Sequence, residues 1–349
     1  MGSSPAAAEG SAPPDGAVPS VYVLAHGARH DPTSFELLWR ANGAIRRRAL
    51  AAADDAVARA LCQRISAPRP GWAGLSMDRP RLMGILNVTP DSFSDGGTFL
   101  NEASAIAHGV AMAEAGADII DVGGESTRPG AAPIGTGEEI RRVLPVVRAL
   151  AERGIVVSLD TRHAPVMEAG LAAGAAIIND ITALSGDPAA LAVVARSDCA
   201  IVLMHMRGEP ATMQVEPRYD CAPLDVFDFL AERLRACDAA GIDRRRLCVD
   251  PGIGFGKTLS HNCQILAMLA LYHCFGVPVM VGASRKSFIA ALSRGEAATE
   301  RLGGSIAVAL AGVEQGVQVL RVHDVAATAQ ALAVWNGIKS VVGTTPGKG

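Results

Sequence analysis

The sequence predicts an α/β protein, a single (β/α)8 barrel with an N-terminal extension, and three observations carry that expectation. Short β-branched runs alternate with longer Ala- and Leu-rich stretches from residue 81 to about 340, the texture of βα units around a parallel sheet. Eight such units occupy roughly 260 residues, the usual size of one barrel. Several of the short runs are apolar on both faces, as strands between a filled barrel interior and outer helices must be. An open doubly wound sheet shares the alternation, but no GxGxxG follows the first strand.

Two divisions are expected, an extension over 1–80 and a barrel over 81–349. Of the first 20 residues, 16 are Ala, Pro, Gly or Ser, a composition that cannot offset its ordering entropy, so 1–20 is expected to be disordered. Residues 21–24 form a short apolar run. The stretch 34–65, with Leu37, Leu38, Ile45, Leu50, Val57 and Leu61, reads as helix-like, which makes the rest of the extension partly helical. Pro68, Pro70, Gly71, Gly74 and Pro80 then punctuate the chain. Barrel strands are expected at 82–87, 118–123, 155–160, 176–180, 200–205, 247–250, 277–282 and 317–322. Helices are expected at 101–115, 136–153, 164–173, 224–240 and 325–337.

The formal charge of −3, from 32 basic and 35 acidic residues, offers no field for a polyanion, so no nucleic-acid partner is expected. The longer apolar runs, 189–195 and 265–272, fall far short of the ~18 residues of a membrane span. Ala6 stands where N-myristoylation wants Ser or Thr, and no Lys or Arg precedes Arg29 to form a secretory n-region, so a cytoplasmic location is expected. Seven cysteines at irregular spacing form no CxxC pair and read as reduced thiols.

The carboxyl ends of the expected strands are polar in turn: Asn87, Asp121, Asp160, Asn179 with Asp180, His205, Asp250, Ser284 to Lys286, and Arg321 with His323. A barrel gathers these ends on one face, so they converge into one mouth. Asp180 or Asp187 alone reads as a cap or turn residue. Buried Asp160 and Asp250 need donors, which a heterocycle with amino and ring N–H groups supplies; Asn179 and Lys286 can serve the same ring. The competing reading pairs Asp160 with Arg162 or a neighbouring lysine. Arg128, Arg321 and His323 suit a phosphate or pyrophosphate, whereas Arg141 and Arg142 read as surface ion pairs. Asn87 suits either a turn or a magnesium ion carried by a pyrophosphate. DPGIGFGK fails as a phosphate loop because Pro251 replaces the first glycine. The connections 88–97 and 123–137 are long enough to close over substrate, with Phe93 and Pro129 as flat apolar contacts.

The strings GILNVTPDSFSDGG, DIIDVGGESTRPGA, VSLDT, IINDI, LMHM, DPGIGFGK, GASRKSF and LRVHDV, in this order and spacing, resemble the dihydropteroate synthase family over residues 81 to about 337. The resemblance implies a barrel that joins a dihydropterin diphosphate to 4-aminobenzoate and releases pyrophosphate. It implies a pterin pocket of Asp160, Asn179, Asp250 and Lys286 walled by Phe255 and Met204. It places the diphosphate against Thr127, Arg128, Arg321 and His323 and, through Mg²⁺, Asn87. It places 4-aminobenzoate at Phe93, Pro129 and Ser287. Asp160, Lys286, Arg321 and His323 are the implied catalytic set, a homodimer the implied assembly, and sulfonamides the implied inhibitors. A pterin-binding relative without this activity, or one that transfers a methyl group, is the competing reading. The extension has no role in the family pattern.

Overall fold

The computed structural model describes residues 22–28, 31–41, 44–50, 56–89, 98–126 and 134–342. The tail expected to be disordered, 1–20, lies outside them. The extension supplies β1 (Tyr22–Ala28), β2 (Asp31–Ala41) and β3 (Ala44–Ala49), an antiparallel sheet in the order β1-β2-β3, followed by α1 (Ala56–Ser66). The helical expectation therefore holds for 56–66 and fails for 34–49, which is strand. Leu37 and Leu38 pair with Val23 and Tyr22 of the buried β1, and this tertiary pairing overrides a weak helical spacing. The dipeptide Asn42-Gly43 between β2 and β3, a strong hairpin signal, was the local clue to it.

The barrel strands are β4 (Arg81–Asn87), β5 (Ile119–Gly123), β6 (Val157–Asp160), β7 (Ile177–Asp180), β8 (Ala200–Met204), β9 (Leu247–Asp250), β10 (Met280–Val281) and β11 (Val319–Val322). They lie parallel in the order β10-β11-β4-β5-β6-β7-β8-β9, each within an expected strand or one residue beyond it. A single bridge, Val249 to Val279, closes the ring between β9 and β10. Pro278 O accepts from Val249 N at 3.0 Å, but Pro278 has no N–H to donate and Val279 N–H donates to the Gln318 side chain at 2.8 Å, so the regular part of β10 is short. Around the strands run α2 (Thr98–Glu114), α3 (Thr136–Ala151), α4 (Ala164–Ala172), α5 (Ala190–Ala195), α6 (Ala222–Ala239), α7 (Leu259–Ala267), α8 (Ser287–Leu292), α9 (Leu302–Glu314) and α10 (Val325–Val342).

Met83, Ile119, Ile177, Val202, Cys248, Met280 and Val319 fill the interior, and the alternate strand residues pack outward on the helices. Trp72, buried with this cluster, plugs it and donates from Nε1 to Arg246 O at 3.0 Å. Filling one end with apolar side chains leaves the carboxyl end for polar ones. The extension docks on the barrel's flank, where Tyr22, Leu24 and Leu38 pack on Leu224, Ala270 and Leu271. All seven cysteines are free thiols. Among the described residues no helix is long and apolar enough to cross a membrane.

Candidate active site

Strand register builds the mouth. Asn87 lies opposite Gly123, Gly123 opposite Asp160, and Asp160 opposite Asn179, a continuous row across β4 to β7 at the carboxyl ends. Gly123 keeps the row open: a Cβ there would sit 3.7 Å from both Asn87 Oδ1 and Asp160 Oδ2. Asp250 faces Met204 across β8 and β9.

Arg321 ties the row together. Its Nε donates to Asp121 Oδ2 at 2.6 Å and its Nη2 to Asp160 Oδ2 at 2.7 Å, while Asn179 Nδ2 donates to the same Asp121 oxygen at 3.1 Å. Asp121, fully buried, is the residue that sequence reasoning placed at the mouth without a role; it aims both Arg321 and Asn179. Arg162 does not pair with Asp160: it reaches Glu125 at 3.2 Å and Glu209 at 3.5 Å. The bland readings hold elsewhere. Asp180 accepts from Thr182 and Leu184 N–H, Asp187 from Ala164 and Ala189 N–H, and Arg141 and Arg142 pair with Glu138.

Burial pushes the Asp160 carboxyl up to about 7, against the pull of Arg321 and with the help of neighbouring Asp121. Burial likewise raises Asp250, opposed by the Gly252 N–H that it accepts at 2.7 Å. For Arg321 burial works against the charge, but Asp121 and Asp160 outweigh it and the pKa is raised. Burial brings Lys286 down to about 7, opposed by Asp250 and aided by Arg321. Its ammonium lies 4.3 Å from the centre of the Phe255 ring and donates to Ile253 O. Opposed shifts of neighbouring acids and a base mark a site organised for charge rather than for stability.

This shift has a sign that unfolding can read. Between about pH 7 and 10.5 the unfolded chain binds a proton at Lys286 that the folded chain does not, so stability from this group rises with pH across that window. Urea unfolding at pH 7 and pH 10 is expected to show a gain for the wild type that Lys286→Met lacks. Equal changes in both proteins would contradict the assignment.

The glycine-rich turn after β9 is explained by closeness rather than by phosphate. Gly252 at φ +67 and Gly256 at φ +61 bring it against the exit of β8, where a Cβ would lie 1.9 Å from His205 O and 2.2 Å from Arg207 O. Lys257, buried behind them and met in the sequence only as the end of the failed phosphate motif, donates to Phe255 O at 3.0 Å and His205 O at 3.3 Å and lies 2.8 Å from His205 Nδ1. Burial lowers the pKa values of both Lys257 and His205. His323 sits beside Ser284, with Nδ1 3.1 Å from its hydroxyl, and the neighbouring Asp324 pairs with Arg285. Ser287 is exposed at the start of α8. Phe93, Thr127, Arg128 and Pro129 lie outside the described residues. Among the described residues no group of three or more His, Cys, Asp or Glu could hold a metal ion.

The model of the family described as pterin binding enzyme matches residues 83–323. The dihydropteroate synthase of Escherichia coli (strain K12) is 49% identical over 261 residues, 74% of this chain and 92% of that one. The solved structure of Xanthomonas albilineans dihydropteroate synthase with 4-aminobenzoic acid superposes with a TM-score of 0.74 at 49% identity, covering 78% of this chain and 99% of that chain. A Yersinia pestis dihydropteroate synthase in a sulfonamide drug complex gives 0.72 at 46% identity, covering 76% and 96%. Sequence and backbone converge on one barrel, and the chain belongs to the dihydropteroate synthase family.

Proposed function

We propose that the barrel mouth joins (7,8-dihydropterin-6-yl)methyl diphosphate to 4-aminobenzoate, giving 7,8-dihydropteroate and pyrophosphate. The row from Asn87 to Asn179, with Asp250 and Lys286 beside it, is the observation that carries the assignment of roles. Asp160, Asn179 and Asp250 accept from the amino and ring N–H groups of the pterin, Lys286 donates to its carbonyl or ring nitrogen, and Phe255 and Met204 wall it. The methylene C–O bond breaks, the amine nitrogen forms the C–N bond, and its proton leaves. Fixed carboxylates stabilise the positive charge that develops on the pterin, so no covalent nucleophile is needed. Arg321 commits Nε and Nη2 to carboxylates, which leaves Nη1 for the diphosphate beside His323, Thr127 and Arg128. Phe93, Pro129 and Ser287 hold 4-aminobenzoate, the place sulfonamides contest.

Asn87 offers a single amide oxygen at the end of the row, and no carboxylate–imidazole cluster stands near it among the described residues. That donor set suits Mg²⁺, which keeps waters and substrate oxygens as most of its ligands. Bound there, Mg²⁺ would neutralise charge on the departing diphosphate. A second copy of the chain is the assigned partner, through the exposed apolar residues Leu302 on α9 and Val334 and Ile338 on α10. The cytoplasm is the assigned location.

Purified protein given the pterin diphosphate, 4-aminobenzoate and Mg²⁺ is expected to form dihydropteroate and pyrophosphate in equal amounts. Asn179→Ala is expected to raise the KM for the pterin diphosphate by about tenfold, the cost of one buried recognition bond, with the KM for 4-aminobenzoate little changed. Pterin binding without product would shift the reading to a silent relative.

A further inference from the structure

The sheet of the extension meets the barrel at the start of α6, where the segment leaving β8 returns from the mouth. Arg40 on β2 donates from Nη2 to Asp225 Oδ1 at 2.6 Å and to Asp228 Oδ2 at 3.1 Å. Tyr22 Oη donates to Asp228 at 2.9 Å, and Arg40 Nε reaches that hydroxyl at 3.4 Å. Asp225, in the first turn of α6, uses its other oxygen on the loop: Oδ2 accepts Asp220 N–H at 2.8 Å and Cys221 N–H at 3.3 Å. One residue earlier, Tyr219 Oη donates to Gly256 O at 2.8 Å, and its ring stands edge-on to His261 with the Arg207 guanidinium 4.7 Å from its centre. Gly256 lies between Phe255, which faces Lys286, and Lys257, which ties the turn to the exit of β8. One carboxylate thus holds the arginine of the extension on one oxygen and the backbone of the pocket's loop on the other.

We propose that Arg40 is a positioning residue for the pterin pocket. By orienting Asp225 it fixes the backbone at 220–221, and through Tyr219 it fixes the turn that presents Phe255 to the pterin. This gives the extension, which precedes the family match, a part in the reaction rather than only in packing. The inference rests on the synthase reading above. A purely structural role is separable, because the Tyr22–Asp228 bond glues the same surfaces and meets the loop only through Arg40, which keeps its bonds to Asp225 and Asp228 when the Tyr22 hydroxyl is removed.

The full chain is compared with Arg40→Met, Arg40→Gln, Arg40→Lys and Tyr22→Phe. Both neutral variants are expected to raise the KM for the pterin diphosphate by about fivefold, within the range of couplings carried by contact chains, while the KM for 4-aminobenzoate stays nearly constant. Their amides at Asp220 and Cys221 are expected to exchange faster, and Arg40→Lys to restore most of both properties. Tyr22→Phe is expected to lower the thermal midpoint and leave the pterin KM in place. Neutral variants that lower the midpoint yet leave pterin KM and amide exchange unchanged would overturn the proposal. If the unaltered protein made no product, the synthase reading would fall, and calorimetric binding of the pterin diphosphate to the same variants would still decide the role of Arg40.

Discussion

Asp160→Asn is expected to lose about 10²–10³ of kcat/KM for the pterin diphosphate, the usual cost of removing one fixed charge from a reacting centre. Asparagine keeps the size of the side chain and a polar oxygen near Arg321 Nη2, now 2.7 Å from the carboxylate, but not the negative charge. Two effects follow. The pterin loses an acceptor that favours its developing positive charge, and Arg321 keeps only Asp121 as a full counter-charge, 2.6 Å from its Nε. Because the carboxyl is raised to about 7 by burial, the ratio of wild-type to variant rate should rise through neutral pH as Asp160 ionises, while the limb from Lys286, brought down to about 7, is common to both proteins. Initial rates across pH 6 to about 9 with saturating 4-aminobenzoate would read both effects. A variant within about threefold of wild type at every pH would remove Asp160 from the chemistry.

Gly252→Ala is expected to be the most damaging small substitution in the barrel. At φ +67 an added Cβ would lie 1.9 Å from His205 O and 3.0 Å from its carbonyl carbon, both backbone atoms that cannot turn aside. The turn must then leave the exit of β8, breaking the bond from Gly252 N to Asp250 Oδ1 and those from Lys257 Nζ across the gap. A loss of about 4 kcal/mol or more is expected, at the upper end for single substitutions, with loss of pterin binding in whatever folds. Gly241→Ala separates collision from conformation: at φ +77 with nothing within 4 Å of the added Cβ, it should cost only about 1–2 kcal/mol. Urea unfolding of the pair would test this, and equal losses would show that the close approach to His205 is not what demands glycine.

The barrel was legible because its signals are local. Each run from 82–87 to 317–322 is a short apolar stretch with polar residues at or near its carboxyl end, and parallel register does the rest by setting Asn87, Gly123, Asp160 and Asn179 in one row. The extension was less legible. Residues 34–49 have no strong period of their own, and their strand state depends on β1, whose Tyr22 to Ala25 are buried on both faces.

Charge partners were the least legible feature. Arg162 stands two residues from Asp160, yet the partner that folding supplies is Arg321, 161 positions away. Asp121 gained its role only when β5 and β11 were set to either side of β4, so that Arg321 could reach it. Lys257 looked like the end of a failed phosphate motif until the turn folded its amine onto His205 and Phe255. Taken by itself, the sequence determined eight βα units and which residues stand at their carboxyl ends, since hydrophobic period and strand-end polarity are properties of neighbours along the chain. Tertiary structure alone decided which charges meet, how closely the turns approach, and that the extension grips the loop beside the mouth, because those depend on distances that only closing the ring creates.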